Sequence, residues 1–388
     1  MTDNGLRKKL SELALLFLRL GATSFGGPAV HIAMMEEEVV RRRHWLSRDE
    51  FLDLVGATNL IPGPNSTELA IHVGYRRAGW AGLLLAGAAF IIPAVTIVLV
   101  LAWAYVRFGR LPQAAGLLYG VKPVVIAVVV QALVGLGRAA VKSRALGVAT
   151  VAAVAALAAG VHELVVLLAA GLGVGLLAWA TGREFGRRST ACLVPLGAAL
   201  TVTGAGAGAG AASATAFGLG PLVLFFLKVG SVLFGSGYVL LAFLRADLVT
   251  RWGWLTEGQL IDAVAVGQVT PGPLFTTATF IGYLLGGLPG GLVATLGIFL
   301  PAFVFVAASG PLVPRLRRSP VAGGFLDGVN VASLALMGVV TWQLGRAALV
   351  DFATVALALT SALVLLRLRV NSAWLVLGGA AVGVLTRL

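Results

Sequence analysis

Two cations lie inside apolar runs of this chain, Arg19 in FLRLGATSFGGPA (17–29) and Lys228 in FLKVGSVLFGSGY (226–238). A cation at the centre of a membrane helix costs about 2.5–3.5 kcal/mol on insertion scales, so one kept there marks a pathway or a partner. Each is followed by a glycine-rich break, Gly26-Gly27-Pro28 in the first case and Gly235 with its neighbours in the second. Two proline-glycine breaks come later, Pro62-Gly63-Pro64-Asn65 and Pro271-Gly272-Pro273. A half-helix that restarts after such a break directs unpaired N–H groups and a positive dipole end at whatever lies before it. Anions suit that field best, and these residues form the expected binding set, with an oxyanion held between Arg19 and Lys228.

Titratable groups stand beside the breaks. Glu68 and His72 are four residues apart just beyond Pro64-Asn65, on one face of a helix, and His31 follows Pro28 by three. Histidine titrates near neutral pH and burial brings carboxylates into that range, so these three are the candidates for a coupling proton. Plainer roles fit the same residues. A Gly/Pro pair in a membrane helix also serves as a kink or a close-packing point, Arg19 can reach the interface along its own stem, and the histidines can bond across helices. Lys122, beside Pro123, is open to either kind of reading, while Asp53 and Asp262 read as helix-end or interface residues and Glu36 to Arg43 as a solvated amphipathic face. No catalytic or metal site is expected: Cys192 is alone, the histidines at 31, 44, 72 and 162 lack ligand spacing, and no G-x-x-x-x-G-K-[ST] occurs. The chain is read as a non-enzyme without a cofactor.

The elements that must position these residues are membrane helices. Of 388 residues 59% are hydrophobic and only 12% charged, with a mean hydropathy of +0.96, far from the composition of a soluble domain. Apolar stretches of the roughly 17–25 residues that a bilayer requires recur from end to end, which makes this an all-α polytopic membrane protein. The net charge of +13 would suit nucleic acid, but the Lys and Arg lie in short loops, where cytoplasmic retention of positive charge fixes orientation. The partner expected is the lipid bilayer, and no nucleic acid. The opening MTDNGLRKKLSELALL shows no small-residue cleavage site, so its apolar segment is expected to stay.

The chain is written twice. Shifted by 209 residues, Phe25-Gly26 falls on Phe234-Gly235, Arg19 on Lys228, Trp45 on Trp254, Asp53 on Asp262, Asn59 on Gln268 and Pro62-Gly63-Pro64 on Pro271-Gly272-Pro273; after one deletion, Gly74-Tyr75 falls on Gly282-Tyr283, Pro93 on Pro301 and Arg138 on Arg346. The domains are a first repeat at 1–182, a linker at 183–218 and a second repeat at 219–388. Loops rich in basic residues in one copy are poor in them in the other, as copies of opposite orientation require, so two inverted-topology repeats are expected. Each has about six apolar segments, in the first copy near 13–35, 51–75, 79–106, 115–138, 145–161 and 163–180. An even number needs an extra crossing to invert the second copy; the weakly hydrophobic 193–216 is the candidate, with a flexible linker as the alternative. That gives thirteen segments, N-terminus inside and C-terminus outside. The basic loop 36–50, with Arg41, Arg42, Arg43 and Arg48, fits badly. Re-entrant hairpins bent at the Gly/Pro motifs would bring it back to the cytoplasm, and full crossings and hairpins both stay open.

Matching interruptions in inverted repeats point to a transporter's midplane site. At this point the sequence resembles a known family, the chromate ion transporters in their long two-domain form. The resemblance is carried by Phe25 to His31, by Pro62 to Asn65, by the G-x-x-x-A-G-W-A-G-x-x-x-A-G stretch at 74–87 with Pro93, and by the weaker second copy ending at Pro271 to Pro273. It implies a secondary transporter that expels chromate across the plasma (inner) membrane of bacteria, using membrane potential or a proton gradient. A sulfate or other oxyanion importer or exchanger of the same architecture is the alternative. The second copy departs at Ser236 and at Leu274, where the first has Pro28's neighbour Gly27 and Asn65, so unequal roles of the halves are expected. Monomer and homodimer are both open.

Overall fold

The computed structural model describes residues 3–25, 27–109, 112–181, 217–233, 239–309, 320–368, 370 and 372–387. Gly26, Gly235, Cys192 and nearly all of the linker lie outside the described residues. Among those described, every regular element is helical, and both halves carry the same series. The first half has α1 (Asp3–Thr23), α2 (Pro28–Glu36, continued by a π-helical Glu37–Arg42), α3 (Arg48–Thr58), α4 (Asn65–Phe108), α5 (Pro112–Ala140), α6 (Arg144–Ala158) and α7 (Glu163–Thr181). The second has α8 (Leu219–Val232), α9 (Leu240–Phe243, continued by a π-helical Leu244–Arg251), α10 (Glu257–Val269), a 3-10 turn (Leu274–Thr276) leading into α11 (Thr277–Ser309), α12 (Pro320–Ala348), α13 (Phe352–Leu368) and α14 (Ser372–Arg387).

Neither α4 nor α11 is one rod. Ala78 and Gly79 (φ 62) leave helical geometry in α4, as Gly286 and Gly287 (φ 61) do in α11. The chain reverses there. A Cβ on Gly74 would strike the Gly82 carbonyl and lie 2.6 Å from the Ala86 Cβ, although Gly74 and Ala86 would be ~18 Å apart along a straight helix. Thr279 and Thr295 likewise join hydroxyls at 2.7 Å across the second reversal. Each helix is therefore a short arm (65–78, 277–286) folded onto a long one (80–108, 288–309). The glycines at 74, 79 and 82 follow from this: two let backbones touch and one takes a left-handed φ.

The ends of the short helices show how the chain enters. Arg77, at the α4 reversal, bonds Glu12 of α1, just before that helix's apolar stretch (2.9 Å), and lies 4.7 Å over the ring of Trp45, which connects α2 to α3. In the second half, Phe217 before α8 meets Trp254 between α9 and α10 (5.3 Å), and a Cβ on Gly286 would lie 3.0 Å from Phe217. Start, connection and reversal thus share one end of each half. Of the two arrangements the sequence left open, the geometry is that of hairpins: α1/α2 and α3/α4 in the first half, α8/α9 and α10/α11 in the second, dip inward and return. The segments expected near 13–35 and 51–75 are accordingly not single spans but pairs of short helices around a break. Local chemistry marks the two ends of these hairpins. At the outer ends, Ser47 with Glu50 and Thr256 with Gln259 form complete capping boxes, satisfying N–H groups where a helix starts.

Equivalent helices of the two halves run antiparallel. Gly87 faces Phe303 while Leu99 faces Gly291 along the long arms of α4 and α11, and Ile126, Leu133 and Gly137 of α5 face Gly345, Gly338 and Leu334 of α12. The outer helices are exchanged: α6 and α7 pack on α12, and α13 and α14 on α5. Small residues permit the closest approaches. Gly116 and Gly120 of α5 meet Gly379 and Gly383 of α14, and the mirror contact sets Gly324 and Gly328 of α12 on Gly171 and Gly175 of α7.

Candidate anion site at the hairpin tips

The hairpin tips of both halves meet halfway along the long arms. Gly63 N–H donates to the Leu233 carbonyl (2.7 Å), and Gly272 N–H donates to the Ser24 carbonyl (2.9 Å). These two bonds are the same bond made twice, since Gly63 corresponds to Gly272 and Ser24 to Leu233. Such reciprocal exchange is what a two-fold relation between the halves produces. The long arms cradle the tips symmetrically. A Cβ on Gly21 would strike the Phe90 carbonyl, one on Gly230 would lie 2.5 Å from the Ile298 carbonyl, and one on Gly272 would lie 2.6 Å from the Ala94 Cβ.

Three helix starts gather in this region. The N-cap positions are Gly27 for α2, Pro64 for α4 and Pro273 for the turn before α11, none with a side-chain cap. Glycine and proline have no side-chain oxygen that could accept the N–H bonds that Ser47 and Thr256 accept at the outer ends. Of the residues the sequence singles out, Gly27 and Pro28 lie at the first tip, Pro62, Gly63, Pro64 and Asn65 at the second, and Pro271, Gly272 and Pro273 at its counterpart. Asn65 Nδ2 donates to Asn59 Oδ1 (2.7 Å).

Buried polar side chains line the first-half tips. His31 Nε2–H donates to the Ser24 carbonyl (3.1 Å), the acceptor of the Gly272 bond, and leaves Nδ1 without a partner among the described residues. Glu68, in the first turn of α4, is 0% exposed, and neither carboxyl oxygen has a hydrogen-bond partner there. A Cβ on Gly63 (φ 143) would strike Glu68 Oε1, which is one reason the tip requires glycine. Thr67 Oγ1, His72 Nε2 and Gln268 Nε2 are likewise buried and unpartnered. The region thus holds donors, a hydroxyl and one carboxyl that the described residues leave unsatisfied, and a bound polar species is the ordinary remedy for such a cluster.

Arg19 and Lys228 stand about 7 Å of helix rise before their tips, each engaged within its own half. Arg19 pairs with Glu38, which also takes Arg42 (3.1 Å) and Arg43 (3.3 Å). Lys228 pairs with Asp247 (3.0 Å), which also takes Arg251 (2.7 Å). Glu38 and Asp247 correspond in the repeat, each in a π-helical stretch and only 6% and 4% exposed. The expectation that Glu36 to Arg43 forms a solvated face holds for Arg41 and Arg42, which are exposed, and is corrected at Glu38, which lies buried in the π-helical stretch where cations of two elements reach it.

One cluster escaped the sequence reading. Asp262 of α10 is buried rather than at a solvated helix end; Lys122 Nζ lies 3.2 Å from its Oδ1, and Tyr105 donates its hydroxyl to Oδ2 (2.9 Å). Three elements contribute, so spacing gives no signal. Only the charged Lys122 in an apolar run hinted at it.

The family described as chromate transporter matches the chain at residues 11–176 and again at 220–384, once in each half. A chromate transport protein of Cupriavidus metallidurans is 32% identical over 375 residues, 96% of this chain and 92% of that protein. A chromate transport protein of Pseudomonas aeruginosa is 32% identical over 343 residues, 86% and 81% of the two chains, and a probable chromate transport protein of Synechococcus elongatus 31% identical over 352 residues, 89% and 87%. No solved structure matches the chain.

Proposed function

The chain belongs to the chromate transporter family, and from that premise we propose that it is a secondary transporter exporting chromate across the bacterial inner membrane, so conferring resistance. The observation that carries the site is the meeting of uncapped helix N-termini from both halves, joined by the paired bonds of Gly63 to Leu233 and Gly272 to Ser24. Chromate is a tetrahedral dianion, and N–H groups offered from several directions suit it better than a single cation would. In this reading Gly27, Pro28, Pro62 to Asn65 and Pro271 to Pro273 form the cradle. Arg19 and Lys228 supply positive potential from behind their acids.

The halves are inverted in the membrane. Antiparallel equivalent helices support this, and so does charge: with hairpins, Arg41 to Arg43, Arg48, Arg76, Arg77, Arg138, Lys142 and Arg144 collect at one end of the first half, where the C-terminal end of α13 brings Arg367 of the second. Positive residues are retained inside, so this end is cytoplasmic. Export of a dianion from a negative-inside cell gains about 2.3 kcal/mol per charge per 100 mV. Coupling to protons is assigned to Glu68, with His72 one turn further and His31 at the neighbouring tip.

The test is chromate accumulation in cells expressing the wild type, Arg19→Ala or Asn65→Ala, together with chromate and sulfate uptake in competition by everted vesicles. Wild type should lower accumulation and both substitutions should relieve it. Unchanged accumulation with wild type overturns the function; variants equal to wild type overturn the site; sulfate preferred over chromate overturns the substrate.

A further inference from the structure

The two halves match in sequence and helix order, but they are not equally closed. α10 packs on α5, α12 and α14, whereas its counterpart α3 packs appreciably only on α2 and α4. α9 packs on α12, with no comparable contact of α2 on α5. Burial follows: Ile261 is 1% exposed and its equivalent Leu52 is 50% exposed. Asp262 is buried and Asp53 exposed, Gln268 buried and Asn59 exposed. The side chains that close α10 are Lys122 of α5, in an ion pair with Asp262, and Tyr105 of α4, which donates its hydroxyl to it. The residue equivalent to Lys122 is Asn330 of α12, and it is exposed, like Asp53.

Copies related by a two-fold, one closed and one open, are the expected appearance of an alternating transporter caught in one state, because exchanging the two conformations generates the other. We infer that Asp262, Lys122 and Tyr105 form a latch that shuts one face of the membrane, and that Asp53 and Asn330 form the matching closure of the opposite face. In the other state α3 swings onto α12, bringing Asp53 to Asn330, while α10 withdraws from α5 and Asp262 parts from Lys122. The latch carries one charge more than its counterpart. An ion pair, with Asp262 covered and Lys122 a quarter exposed, holds α10, and an acid–amide hydrogen bond would hold α3, so removing the cation weighs on the latched state alone. Lys122, Tyr105 and Asp262 are thus positioning residues that set which face is open. The inference rests on the transporter reading. In its orientation α10 begins at the outer face, so the structure faces the cytoplasm, as an exporter ready to load does.

The test uses the full chain in membranes with Cys192→Ser. Leu52→Cys and Ile261→Cys are made singly and labelled with a water-soluble thiol reagent, first with the latch intact and then with Lys122→Met or Tyr105→Phe. With the latch intact, Leu52→Cys should label faster. Each latch substitution should raise labelling of Ile261→Cys roughly tenfold by enlarging the minor, unlatched population, while Leu52→Cys, which samples the majority state, loses only the fraction that leaves it. Tyr105→Phe, which removes only a hydroxyl, should do so to a smaller degree. Asp53→Cys with Asn330→Cys should then be joined by a short bifunctional thiol reagent in the Lys122→Met background, and less readily with the latch intact. Labelling of Ile261→Cys that rises with no gain in the Asp53→Cys to Asn330→Cys cross-link overturns the inference, because it reports local loosening. So does a Leu52→Cys that never labels, which shows α3 covered by another part of the chain. Reciprocal labelling in a protein that moves no chromate in everted vesicles would sustain the latch and refute the assigned function.

Discussion

At the scale of single residues the site depends on atoms that are missing as much as on those present. Gly272 holds a φ of 88, donates to Ser24 and has the Ala94 Cβ where its own would be. Gly253 also has a positive φ (64), but open space surrounds it. Gly272→Ala should therefore cost about 1–3 kcal/mol from overpacking in addition to backbone strain, and it should abolish chromate uptake by vesicles. Gly253→Ala should show only the strain and keep transport. Equal thermal midpoints for the two variants in detergent would mean that the tip is not tightly built. Glu68 poses the chemical question. It is a carboxyl without a hydrogen-bond partner among the described residues, set among groups otherwise suited to an anion, so the dianion and the carboxylate cannot share the tips unless one charge is neutralised. Glu68→Gln keeps the shape and removes the titration. Chromate flux driven by a pH gradient at zero potential should vanish in that variant while flux driven by potential persists. A variant still driven by the pH gradient would exclude Glu68 as the coupling group.

At the scale of elements, the exchanged outer helices are held by glycine contacts that a sequence shows only as scattered small residues. Gly171 and Gly379 are equivalent and each lies against a partner helix, whereas their neighbours Gly173 and Gly378 have nothing within reach of a Cβ. Valine at 171 or 379 should cost about 1–3 kcal/mol each and reduce the fraction of monodisperse protein in detergent. Valine at 173 or 378 should be tolerated. Equal losses at all four positions would argue against the close approaches. The breaks themselves were legible in the sequence because Gly and Pro act locally: the tips at Gly27, Pro62 to Asn65 and Pro271 to Pro273 lie where the motifs put them. Hairpins could not be separated from crossings, since a short apolar helix reads the same whether it continues or returns. What decides is a contact between distant residues, Arg77 on Trp45 and Glu12. The same reason hid the ion pairs of Glu38 and Asp262. An acid in a charged run or near a helix start is ordinarily solvated, and only a π turn or a covering helix from elsewhere in the chain buries it.

For the whole molecule, the exchange of outer helices means that neither half closes its own structure. α5 lacks its covering partners unless α13 and α14 come from the second half, and α12 needs α6 and α7 from the first. The tips complete each other in the same way, because the carbonyl that accepts from Gly63 belongs to the second half and the one that accepts from Gly272 to the first. A half alone would expose the glycine grooves of α5 or α12 to lipid and leave tip N–H groups unsatisfied in hydrocarbon, at several kcal/mol each. The peptide link between the halves raises their effective concentration. Residues 1–182 and 219–388 expressed separately should therefore yield little folded protein, whereas co-expression from two genes should give a complex that copurifies through a tag on either piece. That complex should take up chromate in everted vesicles if the second piece inserts in its native orientation, which a thiol label at Gly286→Cys can verify against one at Arg76→Cys, the two reacting from opposite sides. A half that folds and is monodisperse alone would show that the exchanged contacts are dispensable. Labels reacting from the same side in the active, intact chain would remove the inversion on which the shared site is built.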